Sequence, residues 1–186
     1  MTRPVLHLDF IALRPETGPQ DREALLEAAA ALASMPQVLA VGAIEAGAGS
    51  DFDLAVFFLL PDLGRLEPFG TDERYARFLQ GSVAPKLKRF AGADVELDSE
   101  PAFREGIAAC LALATPDETF DWEVREALEA WADAVRPAAR AIGLAVGERQ
   151  AFRGVALAFG GGAASAGRPA DGRFRSTFVA GGARRL

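Results

Sequence analysis

Apolar positions recur along this chain in two rhythms. From Val5 to Leu13 the stretch VLHLDFIAL is rich in branched and aromatic residues and stops at Arg14-Pro15, the pattern of a strand closed by a turn. Between Asp21 and Ala33 the period lengthens. Leu25, Ala28 and Leu32 fall at helical spacing, and Met35-Pro36 ends the run. Gln37–Ala46 returns to a strand pattern, Gly47–Ser50 reads as a turn, and Asp53–Leu60 (DLAVFFLL) is apolar enough for a strand buried on both faces. A second helix is predicted over Asp72–Lys88, where Tyr75, Phe78, Leu79, Ser82 and Val83 form one stripe carrying both aromatics. Gly92–Leu97 supplies a last strand. The order β-α-β-β-α-β over residues 1–98 is the split βαβ plan of an α+β, ferredoxin-like module, an antiparallel sheet with both helices on one face. The other face, if apolar, needs a cover, most simply a second sheet.

At 186 residues the chain has room for two modules of about 90 residues each. Residues 99–186 read as a degenerate second copy. Gly106–Ala114 stands for the first strand, Asp121–Ile142 for a helix with Val124, Leu128, Trp131 and Val135 on one stripe, and Gly143–Glu148 and Gly154–Phe159 for strands two and three. The offset from the first set is constant at roughly 100 residues, the mark of a duplication. No second helix follows. Residues 160–172, rich in glycine and alanine, read as a mobile loop before a final strand, Arg173–Val179. The competing expectation is an unrelated helical extension packed on the first module.

Composition narrows the function classes. Half of the residues are hydrophobic and a quarter are charged, the balance of a soluble globular chain with a real core. The net charge of −6 and pI near 4.9 give no electrostatic reason for nucleic acid or an anionic membrane to be the partner. One cysteine, Cys110, excludes an internal disulfide and any His/Cys metal cluster; no metal and no cofactor are expected. With no leader-like opening and no long apolar run, the expected location is cytoplasmic. Gly160-Gly161-Gly162 lacks the Lys-Ser/Thr ending of a phosphate loop. Arg168, Arg173, Arg175, Arg184 and Arg185 read as a solvated basic tail. Neither Ser34 nor Cys110 has a motif pairing it with the single histidine.

That histidine is the main chemical signal. Side chains alternate along a strand, so Val5, His7, Asp9 and Ile11 share one face and Leu6, Leu8, Phe10 and Ala12 the other. The second face is wholly apolar and reads as core. On the first, Asp9 would orient or charge the His7 imidazole, leaving it to act as a general base or as a donor to a ligand carbonyl. The alternative is a buried histidine satisfied by its neighbours. Phe57, Phe58, Phe69 and Phe78 would wall an apolar site or serve as plain core. Asp53 reads as a binding position or as a strand-end carboxylate.

Three motifs in order carry a family resemblance. His7 is followed by an apolar run, Arg14 and Pro15; Phe52-Asp53-Leu54-Ala55-Val56 opens a strand; and Phe69 to Pro85 keeps an aromatic, Phe78 and a closing proline. Over residues 3–98 the chain resembles the stress-responsive dimeric α/β-barrel (Dabb) family. The resemblance implies antiparallel sheets that pair into a dimeric or pseudo-dimeric α/β barrel, closed by a homodimer or within one chain. It implies a cleft between sheet and helices lined by His7, Asp9, Tyr75, Phe57, Phe69 and Phe78, with a small apolar or carbonyl-bearing molecule as ligand. Some relatives are polyketide cyclases, whose catalytic histidine on the second helix corresponds to Tyr75 here, with Asp72 where another histidine is frequent. Tyrosine is a poor base at neutral pH but can donate to an oxyanion. The expected functions are therefore a ligand-binding protein with cyclase- or isomerase-like chemistry at His7 and Tyr75, a non-catalytic stress or assembly protein, or a cofactor-independent monooxygenase-like protein.

Overall fold

A computed structural model describes residues 2–99, 101, 105–114, 119–146, 151–167 and 174–186. Among the described residues there are eight strands and four helices. The strands are β1 (Val5–Leu13), β2 (Ala40–Ala46), β3 (Leu54–Leu60), β4 (Leu87–Leu97), β5 (Gly106–Ala114), β6 (Ala139–Ala145), β7 (Gly154–Phe159) and β8 (Arg175–Arg185). The helices are α1 (Pro19–Ala30), α2 (Leu66–Gly70), α3 (Glu73–Arg77) and α4 (Asp121–Val135). All strand pairs are antiparallel, and they close a barrel in the order β1-β3-β2-β8-β5-β7-β6-β4. Residues 1–98 contribute the run β4-β1-β3-β2, and the later residues contribute β8-β5-β7-β6. The seams are β2 on β8, from Gly42↔Arg185 to Ala46↔Gly181, and β4 on β6, from Val95↔Ala145 to Leu97↔Gly143.

Strand alternation sorts the apolar residues into three clusters. Leu6, Leu8, Phe10 and Phe57 point into the barrel, where they meet Leu157, Phe159 and Val179 from the other half. Val5, Ile11 and Phe58 point outward beneath α1 and α3, against Leu25, Leu26 and Phe78. Leu111 and Leu113 point outward beneath Val124, Leu128 and Trp131 of α4. Each fully buried leucine or phenylalanine stabilises the fold by about 1.5–3 kcal/mol, so the shared interior holds the two sheets together.

Two glycines permit the closest approaches. At Gly42 in β2 an added Cβ would lie 2.3 Å from the Phe57 ring, so the interior aromatic occupies the space that a side chain there would need. At Gly181 in β8 it would lie 1.8 Å from the Glu45 carbonyl oxygen, at the β2–β8 seam.

The periodicity misplaces three boundaries. The single helix predicted over Asp72–Lys88 is α3 followed by a π turn, Phe78–Val83, and a 3-10 turn, Ala84–Lys86. Gly81 is a weak helix former, and Pro85 lacks the N–H that a continuing helix needs. β4 therefore begins at Leu87. Helix α4 stops at Val135, because Arg136 adopts the left-handed conformation (φ 50°) and Pro137 follows, and this frees Ala139–Ala145 to form β6. The arginines expected in a solvated tail lie in part on β8, a barrel strand; Arg184 pairs with Glu23 at 2.9 Å and Glu45 at 3.2 Å. Within the predicted loop, Gly161–Ser165 is a 3-10 turn, and residues 168–173 lie outside the described residues. No helix among the described residues is long and apolar enough to cross a membrane.

Candidate functional site

β1 carries His7 and Asp9 on its outward face, and register supplies their neighbours. His7 lies directly across from Asp94 on β4 and from Phe58 on β3. His7 Nδ1 sits 2.6 Å from Asp94 Oδ1. From α3, Tyr75 places its hydroxyl 2.6 Å from His7 Nε2 and 3.1 Å from both carboxylate oxygens of Asp9. Asp9 Oδ1 is also 3.2 Å from Nε2. Tyr75 arrives there because α3 starts cleanly: Asp72 caps it by accepting from the Arg74 amide at 2.9 Å.

Electrostatics fix the protonation. Burial alone would push the His7 pKa down, but the charge and hydrogen bond of Asp9, joined by Asp94, outweigh it and lift the value to about 10. His7 is thus an imidazolium at neutral pH. Nδ1–H donates to Asp94, Nε2–H donates to the Tyr75 oxygen and Asp9, and the Tyr75 hydroxyl donates to Asp9. Burial, and then the negative charge of Asp9, push the Tyr75 phenol well above its usual range, so it stays protonated.

An aromatic shell fills the space around this cluster. The His7 ring is 5.2 Å from Phe69 and 5.9 Å from Phe58, and Tyr75 is 4.6 Å from Phe69. Phe78 closes the far side, 6.2 Å from both Phe58 and Tyr75. Asp9 is fully buried, whereas the His7 and Asp94 side chains keep 14% and 19% exposure, so the one solvent-facing flank is on the β4 side.

The structure therefore brings together His7, Asp9, Tyr75, Phe69 and Phe78 of the residues singled out from the sequence. It does not bring Phe57, which points into the barrel because side chains alternate; its neighbour Phe58 takes that place. Asp94 was missed. Its only sequence signal is a polar residue between the buried Ala93 and Val95, and the register that sets it opposite His7 is not a local property. Asp53 ties loop to strand, accepting from the Leu13 amide at 2.8 Å and from Arg22 at 3.2 Å. Cys110 lies inside the barrel, where burial pushes its thiol pKa up, away from the reactive thiolate. Among the described residues no group of three His, Cys, Asp or Glu side chains is arranged to hold a metal ion.

No protein-family model and no curated protein sequence matches the chain. Solved structures do match. A provisionally assigned monooxygenase from Fusobacterium nucleatum is 10% identical, with 99% of this chain and 94% of that one covered at a TM-score of 0.62. A chlorite dismutase variant from Candidatus Nitrospira defluvii in complex with cyanide is 12% identical, with 97% and 90% covered at 0.57. A Dabb family protein with a ferredoxin-like fold from Mesorhizobium loti is 13% identical, with 50% of this chain and 95% of that one covered at 0.45. At such identities the first two matches speak to fold alone, and the fold they share with this chain is the α+β, ferredoxin-like barrel.

Proposed function

We propose that this chain is a non-catalytic barrel protein in which the His7–Asp9–Tyr75–Asp94 cluster fastens α3 to the sheet. The observation that carries this reading is the double engagement of the imidazole. Both ring nitrogens are bonded at 2.6 Å to protein groups, and three phenylalanines occupy the surrounding cleft. A general base needs an unprotonated nitrogen facing a substrate, and His7 offers none at neutral pH.

A second reading, a site for a small carbonyl-bearing molecule with cyclase- or isomerase-like chemistry, is favoured by the exposed flank: a ligand carbonyl could accept from Nδ1–H in place of Asp94. Monooxygenase-like activity rests on likeness of fold only. Thermal unfolding with acetophenone and 1-naphthaldehyde separates the first two readings. The non-catalytic protein shows no stabilisation that depends on His7. A rise in Tm lost in His7→Gln moves the assignment to the ligand-binding site.

The matching runs β4-β1-β3-β2 and β8-β5-β7-β6 support a duplicated module, residues 1–98 and 99–186, and hence a pseudo-dimer within one chain. Such a protein runs as a 19.6 kDa monomer in light scattering, and a species of twice that mass contradicts it. The lone, buried cysteine suits the reducing cytoplasm, which completes this reading.

A further inference from the structure

Outside the His7 cluster, an open groove of about 400 Å³ runs between the C-terminal end of α1 and the α3–π turn segment. Its floor is apolar, formed by Leu32 and Phe78, and the small side chain of Ala28 leaves it wide. Its rim is cationic and hydroxylic, with Arg74, Arg77 and Ser82, in a chain whose net charge is −6. The two arginines differ. Arg74 is held by Asp72 in a two-point contact, Nε to Oδ1 at 3.0 Å and Nη2 to Oδ2 at 2.8 Å, so its charge is already matched. Arg77 spends only its Nε, on the Glu73 carbonyl at 3.3 Å, and among the described residues no carboxylate pairs with it. Its terminal nitrogens remain as a planar pair of donors, the geometry that takes a carboxylate in two-point fashion.

Backbone geometry supplies an independent sign. The helix widens into a π turn over Phe78–Val83, directly at the groove, a distortion that is rare and concentrates at functional sites. The wider turn sets residues five apart, Arg77 and Ser82, on the same side of the groove.

We infer that this groove binds a small organic carboxylate with an apolar body, the carboxylate on Arg77 and the body on Leu32 and Phe78. None of the hydrogen-bonded groups His7, Asp9, Tyr75 and Asp94 lines this groove, which meets the aromatic shell of that cluster only at Phe78.

The test is a residue-resolved amide NMR titration of the full chain with phenylacetate, using phenylacetamide and inorganic phosphate as controls. Phenylacetate should bind saturably at roughly millimolar strength and shift the amides of Arg77 and Ser82. Phenylacetamide lacks the charge and phosphate lacks the apolar body, so each should bind about tenfold more weakly. Arg77→Gln should weaken phenylacetate by the same factor, and Arg77→Lys should restore part of it. Equal binding of either control, retention in Arg77→Gln, or no saturable shift in the native chain would each overturn the inference.

Discussion

Tyr75 reaches across the sheet–helix interface to within 2.6 Å of His7 Nε2, and the same oxygen stands 3.1 Å from both carboxylate oxygens of Asp9. The hydroxyl is therefore acceptor and donor at once. Tyr75→Phe removes both roles and leaves the fully buried Asp9 short of a donor, a loss of about 1–3 kcal/mol. Urea unfolding measures it; a change below about 0.5 kcal/mol would mean that Asp9 finds another donor.

His7 is the sole cation among two carboxylates. His7→Gln keeps a donor but removes the charge, leaving the carboxylates of Asp9 on β1 and Asp94 on the adjacent β4 without their shared cation. We expect a destabilisation of about 3–5 kcal/mol, the cost of breaking a buried ion pair from one side. Adding Asp9→Asn in the same chain should recover part of the loss, and a purely additive double variant would show that the charges are not coupled.

Stability should fall as pH rises. The folded His7 pKa, about 10, lies above its unfolded value near 6.5, so the native state holds the extra proton between these limits. Its stabilisation is complete below about pH 6.5 and is lost through about pH 10, at a slope of about 1.4 kcal/mol per pH unit. Tyr75, also raised, adds the same sign only at still higher pH. Unfolding free energies between pH 6.5 and 9.5 in the native chain and in His7→Gln isolate the effect: the variant should lose most of the slope.

Adjacent phenylalanines should separate by environment. Phe57→Ala empties the barrel interior and Phe58→Ala opens the shell around His7, each at about 3–5 kcal/mol. Only Phe58→Ala should move the His7 ring resonances strongly in NMR spectra; an equal shift from Phe57→Ala would contradict the sorting of the two faces.

Gly181→Ala should disrupt the β2–β8 seam, because its Cβ would collide with backbone rather than with a flexible side chain. Broader chromatographic peaks and self-association are the expected result, since an opened seam exposes strand edges.

The alternation in VLHLDFIAL was enough to sort His7 and Asp9 from the core face, because a strand's period of two is a local property. The same rule, applied to Phe57 and Phe58, would have shown that only one of them could stand beside His7. Tyr75 is legible as a site residue through the family resemblance, and although its helix is broken after Arg77, α3 alone fixes its direction. Asp94 could not be found, because its role depends on the β1–β4 register, set by packing far along the chain. The end of α4 and the start of β6 differ from the expected helix over Asp121–Ile142 for a simpler reason: Arg136-Pro137 is a local stop signal for the helix.

The position of β8 bears on how the barrel is made during synthesis. It follows β1 to β7 along the chain, yet it lies between β2 and β5. Until it arrives, the nascent chain carries a curled sheet with two bare edges, each able to recruit a stray strand from a neighbouring nascent chain. Translation speed over β8, and any chaperone that shields those edges, would therefore bear on the yield of native protein.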